Sequence, residues 1–299
     1  MEGDFHPSCS LQIFGSTEPP TLNYTLSEMA NLAKEVVESS VTVPGVQPKL
    51  SLGYIKDVLK DGYKGRLTVM GALGGSYILK PQNETYPQMP ENEHLTMRMA
   101  ELCGISVVPS TLIRLKSGEL SYLTKRIDRT ETGEKIHMLD MFQILEAFDK
   151  YKSSVEKVGK VVAEHSSNTL LDLLRLFEVV IFSYITGNND MHLKNFSLIL
   201  LNENWTLAPA YDLLNVNLHI PQDTEETALT IDGKKRKLTK SDFINLGLSF
   251  QLTEKQISNT FNRFVKAEKK MKKEIASSFL SSDNQIKYIE LLETRLSLF

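Results

Sequence analysis

The pattern of apolar residues changes partway along this chain, and that change restricts the fold more than any other feature. Between Val41 and Lys80, short β-branched runs alternate with glycines and charged turns: Val41-Thr42-Val43, Lys49 to Ile55, Leu67-Thr68-Val69 and Tyr77-Ile78-Leu79. That is the texture of antiparallel strands. From Leu139 onward most segments carry apolar residues at helical spacing, over Met141 to Phe148, Val155 to Ala163, Asn168 to Thr186, Lys240 to Leu246, Glu254 to Phe264 and Asp283 to Leu296. Between the two regimes, Pro90-Glu91-Asn92-Glu93 opens a helix that Gly104 closes, and strands are expected over Val107 to Leu115 and Leu120 to Ile127. Strands first and helices afterwards predict an α+β protein with two lobes. The expected boundaries are a small β-rich lobe over residues 1–127 and a larger helical lobe over 128–299. Short hairpins should interrupt the second lobe, at Ser197 to Leu201 with Trp205 to Ala208, and at Ala228 to Leu238. Residues before about 25, with Gly15 and Pro19-Pro20, read as an irregular arm, and Ser27 as the cap of a helix over Glu28 to Ser39.

A formal net charge of −3 removes a globally basic nucleic-acid binder. The 41% hydrophobic and 24% charged residues are ordinary globular usage, which excludes collagen-like, disordered and membrane classes. The longest apolar stretch, Leu170 to Ile185, is broken by Asp172, Arg175 and Glu178, as suits a buried helix and not a bilayer span. Two distant cysteines, Cys9 and Cys103, give no disulfide framework, and the first residues lack a secretory pattern. The expected location is cytoplasmic.

The most specific local feature is Gly187-Asn188-Asn189-Asp190-Met191-His192-Leu193-Lys194-Asn195-Phe196, between the long helix and the first hairpin. In phosphoryl transfer on a kinase scaffold, an Asp accepts the proton of the acceptor hydroxyl and an Asn five positions later holds magnesium. Asp190 and Asn195 have that spacing, and Asp212 in Ala208-Pro209-Ala210-Tyr211-Asp212 follows the hairpin, where a second metal ligand belongs. One Asn, one Asp and the phosphates of ATP suffice for Mg²⁺. The plain alternative is that these residues satisfy loop backbone, as Asn and Asp commonly do.

Other parts of an ATP site occur upstream in order. Pro44-Gly45-Val46-Gln47-Pro48-Lys49 is a turn suited to covering phosphates with backbone N–H groups and a lysine. Lys80 ends an apolar strand, where an inward lysine is costly unless it meets phosphate or a carboxylate. Its candidate partner is Glu93 on the following helix, with Glu101 second. His6-x-x-Cys9 is half a zinc pattern and reads as structural. Lys234-Lys235-Arg236-Lys237 follows the turn Asp232-Gly233 and reads as a solvated hairpin.

In this order the segments VPGVQPKLSL (Val43 to Leu52), YILKP (Tyr77 to Pro81), ENEHLTMRMAEL (Glu91 to Leu102), YLTKRIDR (Tyr122 to Arg129), NNDMHLKNFS (Asn188 to Ser197) and APAYD (Ala208 to Asp212) resemble the HipA-like serine/threonine kinases of bacterial toxin–antitoxin systems. The resemblance implies a bilobal, protein-kinase-like α+β fold that uses ATP and Mg²⁺. It makes Asp190 the catalytic base, Asn195 and Asp212 the metal ligands, and Lys80 the phosphate-binding lysine. Pro44, Gly45, Val46, Gln47 and Lys49 match the phosphate loop, and Lys125, Arg126 and Ile127 fall where the family's hinge contacts adenine. His192 and Lys194 line the catalytic loop, and Tyr211 adjoins the nucleotide beside Asp212.

The resemblance also sets expectations about partners and regulation. Only about forty residues precede the phosphate loop, as in the short HipT-type toxins of three-component systems, whose missing piece is a separate small HipS-like protein. A HipB-like helix-turn-helix antitoxin is a second expected partner, reaching DNA on the kinase's behalf. The implied substrate is an aminoacyl-tRNA synthetase. The family's inhibitory autophosphorylated serine corresponds to Thr42, with Ser39 and Ser40 as further candidates. The alternatives are a pseudokinase-like binding subunit of an antitoxin complex and a small-molecule kinase.

Overall fold

The computed structural model describes residues 5–39, 49–59, 62–70, 75–130 and 132–299. Pro44, Gly45, Val46 and Gln47 of the expected phosphate loop, and the candidate acceptors Ser40 and Thr42, lie outside the described residues. The chain divides into two compact units, residues 1–94 with 108–135, and residues 95–107 with 136–299.

In the first unit, helix α1 (Pro7–Phe14) and helix α2 (Leu26–Ser39) precede strands β1 (Leu50–Leu59), β2 (Gly62–Val69) and β3 (Tyr77–Lys80). Helix α3 (Met89–Leu102) begins here, and β4 (Ser110–Arg114) and β5 (Leu120–Lys125) complete the sheet. The order is β2-β1-β3-β5-β4, antiparallel throughout. Side chains alternate across a strand. Accordingly Tyr77 and Leu79 enter the core with Leu50, Leu52, Leu67, Ile113 and Leu123, and Ile78 and Lys80 take the opposite face.

The arm expected before residue 25 is instead partly ordered. His6 caps α1 through its ring nitrogen, Pro7 occupies the first helical position, and Gly15 at φ 69° ends it. Eight residues are too few to show a period. The helix is held by burial of Ile13 and Phe14 and by the Tyr77 hydroxyl, which donates to the Ile13 carbonyl at 3.0 Å. The cap of α2 is Thr25, not Ser27. Its hydroxyl accepts from the Glu28 N–H at 3.3 Å, and the Glu28 carboxylate accepts from the Thr25 N–H at 2.7 Å, a reciprocal capping box.

The second unit holds β6 (Met138–Asp140), α4 (Met141–Ile144), α5 (Val155–His165) and α6 (Thr169–Ile185), then β7 (Ser197–Leu201) and β8 (Asn204–Leu207). Helices α7 (Lys240–Ser249), α8 (Glu254–Ala276) and α9 (Ser282–Leu296) follow. Strands β6, β7 and β8 pair in that order, so the expected hairpin gains a third strand. Helix α4 is half the expected length because Glu146 turns the chain at φ 47°. Helix α8 is twelve residues longer than its clearest periodicity, and its buried positions continue past Phe264 to Met271 and Ile275. At Ala228 to Leu238 there are only isolated bridges, Ser154 with Thr230 and Ile231 with Lys234. Among the described residues no helix is long and apolar enough to cross a membrane.

Candidate active site

Lys80 closes β3 opposite Tyr122 of β5, on the face away from the apolar core. It is 4% exposed, and its ammonium donates to Glu93 Oε1 at 2.7 Å. The Tyr122 ring lies beneath the ammonium, 5.5 Å from its centroid. Glu93, itself 1% exposed, sits in the second turn of α3. Glu101 pairs instead with Arg98. Breaking such a buried pair leaves an uncompensated charge, so lysine and carboxylate hold each other at a fixed depth.

The other first-unit candidates are arranged around β5 and β1. Lys49 is exposed immediately before β1. Lys125 ends β5, and its N–H donates to the Pro109 carbonyl at 2.9 Å. The Arg126 N–H is taken by the Ser76 carbonyl at 2.8 Å, and its guanidinium forks onto Asp128 at 2.9 and 2.7 Å. Ile127 is half-buried beside them.

In the second unit, α6 delivers the chain into the loop Gly187–Phe196. Gly187 takes φ 71°, and its carbonyl accepts from the Val216 N–H at 3.0 Å. A Cβ there would lie 2.5 Å from Leu291 and 2.9 Å from the side-chain oxygens of Asn215 and Asn217. Gly187→Ala is therefore expected to destabilise the fold by roughly 1–3 kcal/mol, read as a lowered Tm, since it combines left-handed strain with overpacking.

Two donors converge on the Asp190 carbonyl: the His192 N–H at 2.8 Å and Asn195 Nδ2 at 3.0 Å. A single turn of 3-10 helix over Leu193–Asn195 closes the loop. The Asn195 side chain is thus oriented from its nitrogen, which leaves its oxygen as the amide's acceptor. The Asp190 carboxylate is 41% exposed and accepts from the Tyr151 hydroxyl at 2.7 Å. His192 Nε2 lies 4.0 Å from its second oxygen. Burial lowers the His192 imidazole below its ordinary value, a nearby Lys150 adds to this, and the Asp190 and Asp212 carboxylates oppose it. The ring is neutral at neutral pH.

Asp212 adopts φ 61°, a left-handed conformation uncommon for a residue with a side chain. Strain of this kind gathers at working sites. Tyr211 beside it braces the far end of the loop, with its hydroxyl 2.5 Å from Ser197 Oγ and donating to the Lys194 carbonyl at 3.0 Å. Burial raises that phenol above its ordinary value. Lys194 is exposed, with its ammonium 4.7 Å from the Phe142 ring centroid. The structure thus gathers Asp190, His192, Lys194, Asn195, Tyr211 and Asp212 around one loop. It also adds two residues that the sequence reading did not assign. Asn189 donates to Asp223 Oδ2 at 2.9 Å and to the Glu225 carbonyl at 3.0 Å. Tyr151 reaches Asp190 from 39 residues upstream, a contact for which the sequence carries no local signal.

A family model described as the HipA-like C-terminal domain matches residues 41–272. The chain belongs to the HipA-like family. It is 30% identical over 226 residues to a Haemophilus influenzae protein described as "Putative kinase", covering 71% of this chain and 63% of that one. To the serine/threonine-protein kinase toxin HipA of Shewanella oneidensis it is 27% identical over 217 residues, covering 65% of this chain and 47% of the toxin. The HipA-like chain therefore spans less than two thirds of the length of these relatives. A solved structure of Shewanella oneidensis HipA, in complex with HipB and its operator DNA, superposes with a TM-score of 0.67 at 19% identity, over 90% of this chain and 70% of that one. That likeness establishes a shared fold.

Proposed function

We propose that this HipA-like chain is an ATP- and Mg²⁺-dependent protein serine/threonine kinase acting as the toxin of a toxin–antitoxin system. The observation that carries the reading is the loop around Asp190. Its backbone oxygen is held by His192 and Asn195 while its carboxylate stays partly open to solvent. A group that only satisfied loop backbone would have its side-chain oxygens turned inward to N–H donors. The buried Lys80–Glu93 pair gives independent support, because a lysine paired to a helix glutamate is the kinase arrangement for holding phosphates.

In this reading Asp190 accepts the proton of a Ser or Thr hydroxyl as that oxygen bonds to the γ-phosphorus. The bond to the β–γ bridging oxygen breaks and ADP leaves. Lys80 neutralises phosphate charge. Asn195 and Asp212 fit a magnesium ion: one amide oxygen and one carboxylate form the sparse set this cation accepts when phosphates and water supply the rest. Bound there, magnesium would neutralise phosphate charge. Lys49, with Pro44 to Gln47, contributes to the phosphate loop, and Lys125, Arg126 and Ile127 to the adenine contact.

The substrate in this reading is an aminoacyl-tRNA synthetase, and a HipB-like antitoxin is the partner. The Shewanella toxin, seen with HipB and operator DNA, supports the latter. The test is transfer of radiolabelled γ-phosphate to a panel of purified synthetases. One labelled on serine or threonine is the expected result, and transfer to none of them, or only to small molecules, would overturn the substrate. Autophosphorylation is proposed at Thr42, with Ser39 and Ser40 as competitors. Phosphopeptide mapping of the same reactions reads which is modified.

A further inference from the structure

Tyr151 lies outside the motifs that carry the family resemblance, yet its hydroxyl donates to the Asp190 carboxylate at 2.7 Å. The geometry points to Tyr151 as a positioning residue, which holds Asp190 Oδ1 so that Oδ2 is the oxygen presented to the acceptor hydroxyl. This rests on Asp190 being the base.

Three features show that the phenol is delivered by design of the fold and not by a loose side chain. The backbone beside it is tied to the catalytic loop, since the Lys150 carbonyl accepts from the Leu193 N–H at 3.2 Å. The Tyr151 N–H is turned onto Asp149 Oδ1 at 2.9 Å, which fixes the direction in which the side chain leaves. Downstream, the Ser153 carbonyl accepts from the Thr230 N–H at 3.2 Å, and the Val155 N–H donates to the Thr230 carbonyl at 3.0 Å. The segment 149–155 is therefore anchored both at the loop and at the Thr230 bridge.

The ring has neighbours on the loop side and along the chain. It meets the His192 imidazole edge-on, with centroids 5.2 Å apart and planes at 76°, and the Lys150 ammonium lies 4.9 Å from its centroid. His192 Nε2 in turn stands 4.0 Å from Asp190 Oδ2, beyond hydrogen-bond reach. The carboxylate is thus oriented by a donor on one oxygen and left open at the other. A carboxylate free to rotate would spend part of its time with neither lone pair aimed at the substrate, and small misplacements of a reacting group are costly in rate. Burial, reinforced by the Asp190 contact, raises the Tyr151 phenol well above its ordinary value, so it is a permanent donor.

The test compares wild type with Tyr151→Phe and Asp190→Asn. Tyr151→Phe removes only the hydroxyl, and is expected to lower kcat by about ten- to a hundred-fold while the KM for ATP stays within about two-fold. A packing role would instead move KM and Tm together with kcat. NMR of Cζ-labelled tyrosine gives a readout without turnover: the resonance missing from Tyr151→Phe should shift in Asp190→Asn. If Asp190→Asn still transfers phosphate at the wild-type rate, Asp190 is not the base and the premise of this inference falls, whereas a wild-type protein that transfers no phosphate would overturn the kinase reading itself. If Asp190→Asn is inactive but Tyr151→Phe turns over like wild type, only the positioning role is overturned. A faster Tyr151→Phe enzyme would mean the contact blocks the base, and an unmoved resonance that it is not made in solution. Either overturns the proposal.

Discussion

Asp190→Ala is expected to lower phosphoryl transfer by at least about a thousand-fold, within the range that a positioned general base contributes, while the protein stays folded. The two effects separate because the carboxylate works at the surface of the loop and not inside it. Its side chain is 41% exposed, and the loop is held through the Asp190 carbonyl, by His192 and Asn195, which alanine retains. Surface substitutions away from such ties usually move stability by less than about 0.5 kcal/mol, so Tm should shift by only a degree or two. Asp190→Asn serves as the matched control, since it keeps the shape and the acceptor oxygen for Tyr151 but cannot take up a proton. Labelled-phosphate transfer measured beside a melting curve checks both halves. Turnover retained in a folded variant would remove Asp190 from the role of base.

What was legible in advance followed the range of the interactions. The loop around Asp190 could be read because its Asp, His and Asn lie within six residues and meet through one tight turn. The strand pattern was readable because one face of β3 and β1 is buried, which forces alternation. Choosing between Glu93 and Glu101 needed geometry that no spacing rule supplies. Eight residues along a helix is about 12 Å of rise and roughly 80° of rotation, so the two carboxylates cannot share a partner. Helix α1 was invisible because its order comes from Ile13 and Phe14 meeting residues beyond position 50. The sequence signal of helix α8 fades after Phe264 because the lysines between Lys266 and Lys273 mask Met271 and Ile275, which continue the buried stripe at spacings of seven and eleven from Phe264. Tyr151 joins Asp190 across 39 residues, and such a contact exists only once the chain has folded.

Asp172→Ala is expected to be the most destabilising of the substitutions considered, at about 3–5 kcal/mol, without a comparable effect on the folded enzyme's turnover. Asp172 lies in the first turn of α6 and is fully buried, yet its carboxylate is well supplied with donors. Oδ2 accepts from Ser166 Oγ at 2.7 Å, Thr206 Oγ1 at 2.9 Å and the Leu207 N–H at 2.7 Å, and Arg175 approaches Oδ1 at 3.2 Å. One oxygen thus joins the turn before α6 to strand β8 of the hairpin that follows the loop around Asp190. Alanine would leave two hydroxyls and a backbone N–H without their acceptor in a site closed to water, together with a small cavity, and breaking a buried ionic network typically costs this much. Against a total of about 5–15 kcal/mol for a native domain, that is a large share, and Tm should fall by on the order of 10 °C. Asp172→Asn should lie between, because one amide oxygen still accepts while the NH₂ group faces donors if it turns the wrong way. Asp172 has no bond to the loop residues themselves, and α6 puts roughly 20 Å of helix between it and Gly187, so kcat measured well below the lowered Tm should stay near that of wild type. A variant that melted normally would show that β8 is held to α6 by apolar packing alone.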